Sequence, residues 1–260
     1  MVAWVGSVAL LLVVLARVDA GGRYCNSELC PHGGPHVGCN PPPFSGGPTC
    51  RSKQSPKKVF ITPELRAFIL DEHNQNRSNI ALGKIRPYPR AAKMPTLTWD
   101  TELAELADAN ARSCDYGHDR CRATDKFPYA GQNIAITQFY GYRFKEKELI
   151  HKFILSWFGE YLDARKEHIA KYPTSYSGKP IGHFTQIVSD RTTKVGCSMW
   201  YWKDGKTEAY YFVCNYSVTN IMDRSIYLEG ATTSKCKKGN NSKYPGLCNA
   251  NEEPRSIMDP

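Results

Sequence analysis

Apolar residues recur at helical spacing in three stretches of the chain and alternate along two more. Ile150, Phe153, Ile154, Trp157, Phe158 and Tyr161 repeat at intervals of three and four, which places them on one wide helix face. Leu65, Phe68, Ile69 and His73 keep the same rhythm behind Thr62-Pro63-Glu64. That triplet is a helix start: Thr as N-cap, Pro at the first position, an acid near the positive end of the dipole. Asp100 opens another helix, with Leu103, Leu106, Ala107 and Asn110 on one face. Val195 to Trp202 and Ala209 to Tyr216 alternate instead, on either side of Asp204-Gly205, and read as a β-hairpin. Helices come first and strands mostly last, without a regular strand–helix–strand repeat. The expected class is α+β, or a three-layer αβα sandwich.

The two ends break this pattern. Residues 1–20 read as a signal peptide: Val8 to Leu15 is a compact apolar run, and Val18-Asp19-Ala20 fits a small-residue cleavage site. That run is too short to span a bilayer, and no later segment is apolar enough to do so. Residues 21–58 hold four cysteines, many Gly and Pro, and almost no periodic apolar pattern, as in a disulfide-stapled extension packed onto something else. Phe44-Ser45-Gly46-Gly47-Pro48 fills the stretch between Cys39 and Cys50, and the extension contains no Arg-Gly-Asp adhesion triplet. From Ser217 a tail carries Cys236 and Cys248 close together, closing a small loop around Lys237-Lys238 and Tyr244-Pro245-Gly246. The main domain is expected over 59–221 and the tail over 222–260.

All ten cysteines lie after the signal, and an even count in an oxidising compartment predicts five disulfides. The chain is therefore read as secreted and extracellular. Cys197 and Cys214 flank the hairpin turn at comparable distances, so a bridge across its base is the natural pairing. The net charge of +9 is scattered among acids rather than massed, which favours a solvated basic surface with weak attraction for acidic partners. No nucleic-acid-binding motif is present. Asn76, Asn215 and Asn240 each open a glycosylation pattern. Asn215 falls in the expected core strand, which leaves Asn240, in the tail loop, and Asn76.

Gly182-His183-Phe184-Thr185-Gln186-Ile187-Val188 is the stretch with the clearest chemical interest. It reads as a short strand with His183 and Thr185 on a polar face. Alone, His183 reads as a satisfied structural histidine. Glu160 lies near the C-terminal end of an apolar helix face, a poor place for an acid without partners.

Several ordered motifs together carry a resemblance: Glu72-His73-Asn74 with Arg77, Trp99-Asp100, Gly117-His118-Asp119, Gly131-Gln132-Asn133-Ile134-Ala135, Gly182-His183-Phe184-Thr185-Gln186 and Cys214-Asn215-Tyr216. The chain resembles the CAP superfamily of cysteine-rich secretory, antigen 5 and pathogenesis-related proteins. The Tyr24-Cys25, Cys30-Pro31 and His36-Val37 opening is similar to the insect antigen 5 branch, and the tail to versions found in flies, including salivary proteins of blood feeders. The resemblance implies an αβα sandwich with a cleft lined by His118, Gln132, Glu160 and His183. Gln132 departs from the Glu of many relatives, and the last motif lacks the usual Gly-Pro after Tyr216. Implied disulfides are Cys25–Cys39, Cys30–Cys121, Cys50–Cys114 and Cys197–Cys214, leaving Cys236–Cys248. His73, Asn74 and Arg77 take packing and hydrogen-bonding roles.

Three functions stay open at this point. His118 and His183 are competent ligands for a divalent metal such as zinc, and no cofactor is required. Two His and a carboxylate resemble a hydrolytic zinc site, but the ligands are scattered and a neutral Gln132 cannot abstract a proton. With no activated serine and every cysteine committed to a disulfide, the reading is a binder rather than an enzyme. The second reading is a carrier of a small lipid (sterol, fatty acid or eicosanoid) in an apolar pocket beside the helix bearing Phe153 to Tyr161. The third is a salivary or venom allergen that engages a host protein in haemostasis or immunity through the extension or the basic tail. A monomer is expected, with no membrane span and no nucleic-acid partner.

Overall fold

The computed structural model describes residues 20–259, so the expected signal segment lies, apart from Ala20, outside the described residues. One sheet is built from β1 (Gln54–Val59), β2 (Thr98–Trp99), β3 (Gly131–Phe139), β4 (Lys194–Asp204) and β5 (Thr207–Tyr216), in the order β1-β4-β5-β3. Its ladders are antiparallel except for β2, which pairs in parallel with β4. The helices that shape the site are α1 (Pro63–Ala81), α2 (Thr101–Ala111), α3 (Glu146–Gly159) and α4 (Gly182–Ile187). α1 and α2 start where the sequence marks them: Thr62 accepts from the N–H of Leu65, and Asp100 from that of Leu103.

The hairpin forms the centre of the sheet. Gly205 and Lys206 make its turn, with Gly205 at φ 60°, and Asp204 pairs with Thr207. Cys197 and Cys214 are directly opposed and bridged. Alternation sends Met199, Phe212 and Tyr216 towards α1 and α3, and Trp200, Tyr211 and Val213 towards α2. Both faces are buried, which makes the expected αβα sandwich. α2 lies so close to β4 that a Cβ on Gly196 would overlap the backbone of Asp100 and Ala104.

Three strands were not legible as strands. β1 lies within the stretch expected to be extension, so the boundary drawn at 58/59 cuts through a sheet edge. β3 carries Gln132 and Asn133 buried in its first half, which erases the apolar alternation. β2 has two residues, too few to show a period.

All five expected disulfides form. The tail is less of an appendage than its composition implies. Ile226, Tyr227, Tyr244 and Leu247 are buried in the main core, and buried Arg255 reaches buried Asp190 at 2.9 Å. The aromatic face of α3 is filled: Phe153 and Trp157 stack on Phe212, and Phe158 meets Phe184 edge-on. Among the described residues, no helix is long and apolar enough to cross a membrane.

Candidate functional site

Gly182–Ile187 is a helix, α4, and not the expected strand. Residues 184–187 are all buried, so the segment has no polar face, and a single turn is too short to reveal a 3.6-residue period. Its N-cap position, Ile181, offers no side-chain acceptor. Glu160 supplies one from the 3₁₀ turn that follows α3: Oε2 accepts from the N–H groups of His183 (2.8 Å) and Phe184 (3.1 Å). Oε1 meets His183 Nδ1 at 2.6 Å. An acid misplaced at the end of α3 is thus well placed at the start of α4.

The other imidazole is held by amides. Gln132 Nε2 donates to Asp119 Oδ2 (2.6 Å) and Asn215 Oδ1 (3.0 Å), and Asn215 in turn donates to the carbonyl of Leu103. A carboxylate only accepts, so this pattern fixes the Gln132 amide with Oε1 towards His118 Nδ1, 2.7 Å away. His118 must therefore carry its proton on Nδ1. Asp119 is balanced by Arg122 at 2.8 Å. Desolvation against the cleft wall holds the His118 pKa below its ordinary value, opposed by the Gln132 bond and assisted by Arg122 and His183, although the residue as a whole is exposed.

His118, Gln132 and His183 line one cleft of about 480 Å³, together with Arg122, Asn133 and Tyr172. Glu160 does not line it and stands behind His183, a correction to the expected four-residue lining. Trp157 stacks on the His183 ring, with centroids 6.0 Å apart. In the neutral rings the Nδ1 proton of His118 goes to Gln132 and that of His183 to Glu160, so each Nε2 keeps its lone pair. This is how accessory partners orient metal-ligating histidines. Among the described residues, no group of three or more His, Cys, Asp or Glu side chains is placed to hold a metal ion. This leaves the two imidazoles of the cleft as the candidate ligands and does not fit a two-His-one-carboxylate hydrolytic centre.

Behind the cleft the packing roles hold. His73 is fully buried between the Ile69 carbonyl and the Tyr216 hydroxyl, and desolvation lowers its pKa to about 4. Asn133 donates to the same hydroxyl and to the His183 carbonyl. Asn74 pairs through both amide atoms with the backbone of Leu97. Arg77 gathers the carbonyls of Pro95, Ile187, Ser189 and Thr192. Asn215, discounted as a glycan acceptor, is buried in the network. Asn240 is exposed, whereas Asn76 lies half-buried within α1 and its Ser78 hydroxyl is buried against the Pro245 carbonyl. Sequence reasoning missed the roles of Asp119 and Asn215. For Asn215 the available signal was a polar side chain inside a strand otherwise buried on both faces; Asp119, on a loop, gave none of this kind.

The cysteine-rich secretory protein family, CAP, matches residues 70–216. Venom allergen-1 of Aedes aegypti is 47% identical over 234 residues, covering 90% of each chain. The antigen 5 like allergen Cul n 1 of Culicoides nubeculosus is 41% identical over 68% of this chain and 82% of its own. The crystal structure of NaASP2 with Zn2+ superposes with a TM-score of 0.60 at 29% identity, over 72% of this chain and 96% of that one. The chain thus belongs to the cysteine-rich secretory protein (CAP) family, with venom allergens of the antigen 5 type among its relatives.

Proposed function

We propose that this protein is a secreted, non-enzymatic binding protein of the venom-allergen type, acting outside the cell on the animal that receives the secretion. Its cleft takes a divalent metal ion or a small polar ligand through Nε2 of His118 and His183. The observation that carries this reading is the full commitment of Glu160. One oxygen orients His183 and the other caps α4, so Glu160 serves the ring and the helix rather than acting itself as a metal ligand or a base. Gln132, the other candidate position, has no proton to take or give as an acid.

Support for the extracellular setting comes from five disulfides and from relatives named as venom allergens. The filled aromatic face of α3 argues against a lipid channel there. NaASP2, whose structure is described with Zn2+, makes zinc the first ion to try. Native mass spectrometry of protein secreted by insect cells without chelator tests the reading. It predicts a bare or singly metal-loaded chain; a stoichiometric lipid would replace the reading with a carrier. Zinc-dependent hydrolysis of ester or peptide substrates that disappears in His118→Ala/His183→Ala would replace it with an enzyme.

A further inference from the structure

At the end of the sheet bearing the hairpin turn, two concavities of about 460 Å³ each lie side by side and share Arg143. Together they are lined by five cations (Lys57, Lys58, Arg143, Lys203, Lys206) against two carboxylates, Glu146 and Glu208. Lys58 and Lys203 are paired, with Asp108 and Glu208. Among the described residues Lys57, Arg143 and Lys206 have no salt-bridge partner, against one carboxylate without a salt bridge, Glu146, so the surface keeps a net positive charge; Arg143 hydrogen-bonds to Tyr210.

Aromatic rings hold this surface in shape. Tyr142 meets Phe144 edge-on at 4.5 Å, Phe144 meets Phe139, Phe139 stacks on Tyr210, and Tyr210 packs on Tyr201. Lys57 Nζ sits 5.1 Å from the Tyr201 ring centroid at the far end of the ladder. Tyr140 and Tyr142 remain 71% and 59% exposed, and Phe60 is 77% exposed, so flat rings face solvent among the cations. No disulfide, glycan pattern or cleft residue accounts for large aromatic side chains left in water here.

We propose that this end of the sheet binds a linear sulfated polysaccharide. The charge is complementary to sulfate and carboxylate groups, and the shared Arg143 lets one extended chain run through both concavities. Tyr140 and Tyr142 offer faces on which sugar rings stack. A lipid surface would call for a protruding apolar patch, whereas this one is concave and its exposed tyrosines carry hydroxyls.

The test uses heparin as the probe and reads affinity against salt. Arg143→Ala/Lys206→Ala is compared with Lys237→Ala/Lys238→Ala, which removes the same charge from exposed positions in the tail. All four side chains are exposed, so both variants fold. The first variant is expected to weaken heparin binding about tenfold at 0.15 M salt and to lower the slope of log K against log salt by roughly 2. The tail variant should change binding less than about twofold, since only the local field matters over a Debye length of ~8 Å. Tyr140→Ser/Tyr142→Ser should weaken binding with the slope unchanged. A wild-type protein that ignores heparin overturns the proposal. So does equal weakening by the two charge variants, or binding to phosphatidylserine vesicles without binding to heparin.

Discussion

His118 and His183 face one cleft, and what holds each ring differs. His183 belongs to a helix whose first turn is capped by the same carboxylate that orients its imidazole. Ring and backbone on that wall are set together by Glu160. His118 stands on a loop outside any helix or strand, and its ring is set by the Gln132 amide, itself fixed by Asp119 and Asn215. That loop is fastened from outside, since Cys121, three residues on, is bridged to Cys30 in the N-terminal extension. One wall is built by local hydrogen bonding and the other by a covalent staple plus an amide network. The N-terminal extension therefore has a structural role, because it fastens the loop that carries one wall of the cleft.

The largest effect expected on this comparison comes from the staple. Cys30→Ala/Cys121→Ala opens a bridge that spans 91 residues and should lower stability by about 4 kcal/mol, chiefly by freeing the unfolded chain. Thermal melting checks the size of the loss. Hydrogen exchange should place the native-state loosening around His118 and leave the amides of α4 protected; loosening of α4 instead would undo the comparison.

Acid should act on the opposite wall, through His73. Its folded pKa of about 4 lies below the roughly 6.5 of an unfolded histidine, with desolvation the leading cause. The unfolded chain therefore takes up the proton first. Stability is complete above about pH 6.5 and falls towards pH 4, by about 3 kcal/mol in all. The Tyr216 hydroxyl then loses its acceptor, and Asn133 links that hydroxyl to the His183 carbonyl. Urea unfolding between pH 7.5 and 4.5 should show this slope in wild type and a flatter one in His73→Phe. His118, also shifted down, adds to the slope with the same sign. An equal slope in both proteins would remove His73 from the account.

Glu160→Ala should cost about 2 kcal/mol, because it uncaps two backbone N–H groups and frees a histidine ring. Exchange at the amides of His183 and Phe184 should accelerate about thirtyfold, the equivalent of that energy. Unchanged exchange would mean α4 needs no cap.

Gln132→Ala is the mildest. It should lower stability by about 1 kcal/mol and weaken zinc binding about tenfold by releasing the His118 tautomer. Nitrogen NMR of the imidazole reads that tautomer directly: Nδ1-protonated in wild type, mixed in the variant. A wild-type ring protonated on Nε2 would contradict the network.

Much of this was legible in the sequence, for reasons visible at particular residues. α1 and α2 announce themselves through Thr62-Pro63 and Asp100, and α3 through five apolar residues from Ile150 to Phe158 on one face, with Tyr161 in the 3₁₀ turn that follows. The hairpin's strands were legible because nearly every position is apolar or aromatic, with successive residues packed into two different helix layers. α4 escaped because a single buried turn has no period, and because its cap comes from Glu160, 22 residues before it begins. His183 stood out in its own stretch, but only the motif resemblance pairs it with His118, since nothing in local spacing brings the two together. The roles of Asp119 and Asn215 escaped because each is defined by a contact across the fold. The anomaly at Glu160 was visible in advance: an acid at the wrong end of one helix pointed to a partner elsewhere.

Zinc titration of the native protein tests the central claim that these two walls form one binding site. Wild type should bind a single zinc ion. At about 100-fold excess over the dissociation constant, native-state binding adds about 2.7 kcal/mol, a melting rise of roughly 5–10 °C for a chain of this size. His118→Ala/His183→Ala should melt at the same temperature with and without zinc. A zinc-dependent rise that persists in the double variant would place the metal elsewhere and contradict the account.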